Sequence, residues 1–124
     1  MPIHLTIDHE ARLVHATLEG LVAVKDVEDF LDAVVAQDAL PYRKLVDGRT
    51  ATGTYNDDDV MALGARLSAY ASIARRGALA IVAPVDSSME LSDRLINLGK
   101  SDRPAKVFRS IDDARQWLFA QPEV

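Results

Sequence analysis

Residues 77 to 84, GALAIVAP, form a continuous apolar run with no polar residue to alternate against. Successive side chains of a strand point to opposite sides of a sheet, so a strand can be apolar at every position only if both of its faces are covered. The run therefore predicts an inner strand of a parallel sheet with helices on both faces, and places it in the middle of that sheet. The rest of the chain has to supply the covering helices and the neighbouring strands.

Residues 3 to 8, IHLTID, alternate instead, with Ile3, Leu5 and Ile7 on one side and His4, Thr6 and Asp8 on the other. After a polar turn around His9 and Glu10, residues 11 to 19 resume the alternation with Val14, Ala16 and Leu18 inward. This predicts an antiparallel hairpin in which His4 lies across from His15. From Val24 to Gln37 the period changes, and Val24, Val27, Phe30, Leu31, Val34 and Val35 recur every three or four residues, an amphipathic helix that stops before Pro41. Residues 43 to 47, RKLVD, read as a short strand, and residues 57 to 74 as a helix with Val60, Leu63, Leu67 and Tyr70 inward. Beside that stripe runs a strip of small residues, Ala62, Ala65, Ala69 and Ser72, whose simplest role is close packing within the chain.

Residues 86 to 99 predict a further helix, opened by a Ser87 to Glu90 capping box, striped by Leu91, Leu95 and Leu98, and ended by Gly99. AKVFRS, residues 105 to 110, reads as the last strand. Ser110 caps a final helix with Asp112 and Asp113 in its positive first turn and Ala114, Trp117 and Leu118 inward. The order is ββαβαβαβα, a single α/β domain over residues 1–124 with a mostly parallel sheet, an antiparallel N-terminal hairpin at its edge, and flanking helices.

Charge and composition narrow the function. A net charge of -5 with scattered Lys and Arg disfavours nucleic acid and anionic membrane as partners. The absence of cysteine removes disulfides, thiolate metal sites and cysteine nucleophiles together. No apolar run approaches the roughly 18 residues of a spanning helix. The start, MPIHLTIDHE, has neither the basic nor the apolar region of a signal peptide, so a cytoplasmic location without a membrane span is expected.

The most polar connection is VDGRTATGTYNDDD, residues 46 to 59, at the carboxyl end of a strand, where ligands of parallel sheets are handled. Asn56 followed by Asp57, Asp58 and Asp59 reads first as a helix cap with carboxylates in the first turn. Neighbours on a helix point about 100° apart, so these three cannot converge on a cation unaided, and no metal is expected. Gly48 and Gly53 fit neither phosphate-loop spacing. Asp47 as an aspartyl phosphoacceptor lacks the acidic and lysine partners that chemistry needs, Lys106 being a loose match. The histidines of the hairpin lack a third ligand, and Ser87 and Ser88 have no nucleophile elbow. No cofactor and no catalytic residue emerge.

The hairpin ending in Glu19 and Gly20, the strand KLVDGR (44 to 49), the strand AIVAP (80 to 84) and the ending KVFRSIDDARQWL (106 to 118) resemble the small bacterial SpoIIAA-like proteins. Those are grouped with STAS domains and, by architecture, with Sec14-type lipid-binding domains. The resemblance implies a sheet of four or five strands flanked by helices, and a regulatory or binding role rather than a reaction. In anti-sigma-factor antagonists with a STAS domain, a strand ending in Asp leads to a helix start whose serine is phosphorylated. Laid on Asp47, that pattern brings the serine pair to Asn56 and Asp57 and its glycine to Asp58. The phosphoacceptor serine is missing, and an aspartate there carries a fixed single negative charge where phosphoserine carries about -1.5 to -2.

The resemblance thus implies a non-enzymatic regulatory or protein-interaction module of STAS type, acting on a protein partner or a second copy. Asp47, Arg49, Thr50, Asn56 and Asp57 are its candidate contact residues. The alternative is a carrier holding a small apolar ligand or lipid in a groove beside the helices of residues 57–74 and 86–99, with an enzyme third.

Overall fold

A computed structural model describes residues 2–52, 56–84 and 103–123. Five strands form one sheet in sequential order: β1 (Ile3–Asp8), β2 (Leu13–Leu21), β3 (Arg43–Thr52), β4 (Leu79–Val82) and β5 (Ala105–Phe108). β1 and β2 are antiparallel, and β2, β3, β4 and β5 run parallel. The helices are α1 (Val24–Ala36), α2 (Asp57–Ala71) and α3 (Ile111–Ala120). This is the mostly parallel α/β sheet with an antiparallel edge that the hydrophobic periods predict. The helix expected over residues 86–99 lies outside the described residues.

The inward alternation sorts the core onto two faces. Val14, Val34, Ala39, Leu40 and Tyr42 pack with Leu5, Ile7, Phe30 and Tyr70, which puts α1 and α2 on the same side of the sheet. Arg66 of α2 ties the two helices across that layer, with its guanidinium 2.6 Å from Asp32 and 3.2 Å from Glu28 of α1. Leu45, Ala80 and Val82 point the other way and pack under Ala114 and Leu118 of α3, with Phe108 and Trp117 against them. The amphipathic stripes of α1 and α3 therefore cover opposite faces of one sheet.

Three details differ from the sequence expectations. GALAIVAP supplies β4, yet the middle strand is β3, because β5 adds only one further strand beyond β4. The run is apolar because the inner strand β4 is covered, which does not require a central place. β3 continues to Thr52 rather than ending at Asp47, since β2 itself continues to Leu21 and offers Glu19, Gly20 and Leu21 as partners to Thr50, Ala51 and Thr52.

The third difference is the hairpin register. Asp8 pairs with Leu13, which makes the connection four residues long, and Asp8 Oδ1 accepts the Ala11 N–H at 2.9 Å while Arg12 takes a φ of 54°. His4 therefore faces Thr17, and His15 faces Thr6; the two histidines are not opposite each other.

Candidate functional site

The register between β2 and β3 slips once. Thr17 pairs with Asp47, but Glu19 pairs with Thr50, so β3 carries one extra residue at Gly48 and Arg49. Such a bulge bends the strand and re-aims a side chain. Here it turns Arg49 back onto Asp47, whose carboxylate accepts from Nε at 2.9 Å, from Nη2 at 2.7 Å and from the Arg49 N–H at 3.2 Å. Gly48 fits because a Cβ there would already press on the Val82 carbonyl at 3.1 Å. The fork holds the buried Asp47 carboxyl below the usual carboxylate range, against the opposing effect of burial.

Of the other candidate residues, Thr50 is exposed, and its hydroxyl donates to the Leu18 carbonyl at 3.1 Å across the slipped register. Asn56 caps α2 as its sequence implies. Its side-chain oxygen accepts from the Asp59 N–H at 2.8 Å, and the Asp59 carboxylate accepts from the Asn56 N–H at 3.1 Å. Asp57 and Asp58 are exposed in the first turn. Asp47 and Arg49 are thus brought together as a unit, while at the helix start Asn56 bonds to Asp59 and Asp57 is exposed beside them. Gly53, Thr54 and Tyr55, between them, lie outside the described residues.

Apolar side chains are left uncovered at this same end of the sheet. Leu21, paired with Thr52 at the last rung of β2 and β3, is 73% exposed, and Met61 on α2 is 58% exposed. The small-residue strip of α2 does not pack within the described chain, since Ala62, Ala65, Ala69 and Ser72 are all exposed. A shallow groove of about 290 Å³ lies elsewhere, between β1 and α1, lined by Leu5, Ile7, His9, Ala33 and Gln37. Among the described residues, no three histidine or carboxylate side chains gather as a metal site would require.

The sequence alternation sets His15 on the exposed face and does not single out Lys44, and the structure buries polar atoms of both. His15 sits on the face it shares with Asp47, and its Nε2 is buried with no hydrogen-bond partner. Its positive form would add to the forces holding Asp47 ionised. The sequence carried no signal for this, because it depends on the register that pairs Thr17 with Asp47. Lys44 lies at the opposite, amino-terminal end of the parallel strands and is only 6% exposed. Its Nζ donates to the carbonyls of Leu40 at 2.5 Å and Tyr42 at 2.7 Å. Burial first, then the neighbouring Arg103 and Arg76 charges, lower its pKa to about 6. Adjacent Lys44 and Leu45 in a strand covered on both faces left one of them to enter the α1 and α2 layer, and the lysine is the one that does.

No protein-family model matches the sequence, and comparison with curated proteins finds no match. Among solved structures, the chain is similar to an uncharacterized protein of the DUF3478 family with a SpoIIAA-like fold from Shewanella loihica PV-4. The TM-score is 0.59 at 16% identity, over 94% of this chain and 91% of that one. The fold is SpoIIAA-like, as the sequence motifs suggested.

Proposed function

We propose that this chain is a non-enzymatic protein-interaction module of STAS type whose contact surface is the carboxyl-terminal end of β2 and β3 together with the start of α2. The observation that carries the reading is Leu21, 73% exposed on the rung it shares with Thr52, at the sheet end that leads into the carboxylates Asp57 and Asp58 and the exposed Met61. Large bare aliphatic side chains beside fixed charges suit a partner with an apolar pocket and a basic rim. Asp47 and Arg49 brace the strand beneath this surface, and Thr50 ties it to β2. The helix start carries Asn56 and Asp57 where the resembling regulators carry a phosphorylated serine, so its charge is permanent and the module acts in one state.

Affinity capture from a cell lysate tests this, comparing wild type with Leu21→Ser and with the double variant Asp57→Ser, Asp58→Gly, each checked for native circular dichroism. A partner recovered by wild type and lost by both variants supports the reading, and equal recovery by all three removes this surface from the argument. The carrier reading is second, favoured by the uncovered strip Ala62, Ala65 and Ala69 on α2. A retained apolar ligand in native mass spectrometry of freshly purified protein would favour the carrier.

A further inference from the structure

Among the described residues the sheet ends on β1, and no strand pairs with the outer side of β1. Glu19 N–H donates to the Pro2 carbonyl at 2.7 Å, which sets the phase of the ladder between β1 and β2. His4, Thr6 and Asp8, paired with Thr17, His15 and Leu13, then exchange hydrogen bonds with β2. The N–H and C=O groups of Ile3, Leu5 and Ile7 point away from the sheet, and among the described residues no strand pairs with them. Natural edge strands are usually blunted by lysine, proline or a bulge. Residues 3 to 8, IHLTID, contain none of these.

We propose that this edge pairs with the same edge of a second copy, antiparallel about a two-fold axis at Thr6, so that the two sheets become one. Three observations select that arrangement. The outward groups belong to odd-numbered residues, so only registers that join odd to odd positions satisfy the backbone. With the axis at Thr6, Leu5 exchanges both hydrogen bonds with the partner's Ile7, and Ile7 with the partner's Leu5. On the other face His4 meets the partner's Asp8, and Asp8 the partner's His4, while Thr6 meets its own copy. Moving the axis to Leu5 would set His4 against a threonine and carry Asp8 beyond the paired segment, so the two imidazole–carboxylate hydrogen-bonding pairs choose Thr6.

The apolar side agrees. Leu5 and Ile7 are half-buried and line the shallow groove against Ala33 of α1. In the pair they pack on the partner's Ile7 and Leu5, which covers the sheet side of that groove. His4 already stands 3.5 Å from Glu19 on its own chain, and the partner's Asp8 adds a second carboxylate to it.

The chain has no cysteine, so single thiols report the register directly. Thr6→Cys places two thiols on the axis, at a non-hydrogen-bonded pair whose Cβ atoms stand about 4.5–5.5 Å apart, close enough to join by disulfide with a small adjustment. His4→Cys leaves its two thiols more than about 13 Å apart, because four residues of strand separate them. Sedimentation velocity of wild type should show a dimer fraction that rises with concentration, and mild oxidation should cross-link Thr6→Cys but not His4→Cys. Thr6→Arg, exposed in one copy and facing itself in two, should weaken the dimer about tenfold or more with unchanged circular dichroism. A wild type that stays monomeric at every concentration overturns the proposal. So does a dimer in which the two cysteine variants cross-link equally or Thr6→Arg has no effect.

Discussion

Lys44 Nζ and the Tyr42 carbonyl oxygen are 2.7 Å apart at a site from which solvent is excluded, and the same amine reaches the Leu40 carbonyl. The lysine thereby braces the turn between α1 and β3, the turn against which Gly77 also packs through its N–H to Leu40, 3.0 Å long.

The cost of that brace is borne by protonation. In the folded chain Lys44 titrates near 6 instead of 10.5, so between those values the unfolded chain holds a proton that the folded chain lacks. Stability must then rise with pH across that window, by at most about 1.4 kcal/mol per unit, and the slope must flatten below pH 6. Urea unfolding at pH 6.5 and 8.5 should show the wild type more stable at the higher pH. Lys44→Met should lose most of that slope, and a slope identical in both proteins would mean that Lys44 is charged in the fold.

Asp47 titrates with the opposite sense. Its folded pKa is depressed, chiefly by the Arg49 fork, so its contribution is full above the ordinary carboxylate value and is lost as pH falls through the folded one. Arg49→Met removes the fork and leaves a buried carboxylate without its main donor. The variant's Asp47 should titrate at higher pH by carboxyl NMR, and its acid unfolding should begin at higher pH than in wild type. The two proteins should differ most near pH 7, where Asp47 is ionised in both, and the difference should shrink as pH falls through the two folded values.

The contrast between these two residues shows what the sequence made legible. Hydrophobic period located every described strand and helix, because burial is written residue by residue. Register was not legible, since it depends on pairing between strands, and one four-residue turn displaced His4 from His15 to Thr17. The bulge at Gly48 and Arg49 was hidden for the same reason: Arg49 was a candidate contact residue of the loop, and its turn back onto Asp47 depends on which strand holds the extra position. The cap at Asn56 was legible because its partners lie three residues away.

Gly77 should tolerate no side chain. A Cβ there would fall inside the contact surfaces of the Pro41 and Tyr42 carbonyl oxygens, which are backbone and cannot swing aside. Gly77→Ala should cost about 3 kcal/mol or more in chemical unfolding, at the upper end of overpacking effects, because relieving the clash also disturbs the carbonyls that Lys44 holds. Gly20, whose φ is 66° with no atom near the site of a Cβ, provides the comparison. Gly20→Asn should be far milder, since asparagine tolerates that backbone region and nothing there must move.

Asn56 separates the structural use of the α2 start from its use in binding. Its reciprocal bonds with Asp59 satisfy two backbone N–H groups at the end of the helix. Asn56→Ala should therefore destabilise by about 1 kcal/mol. For a chain of this size that lowers the melting temperature by about 3–5 °C. Asn56→Ser keeps an oxygen in capping position and should stay within about 0.5 kcal/mol of wild type. Differential scanning fluorimetry of the three proteins measures the cap alone. If Asn56→Ser then matches wild type in stability but loses a captured partner, the asparagine side chain is read by that partner as well as by the helix. If both properties are retained, Asn56 serves the helix and the partner reads Asp57, Asp58 and Leu21.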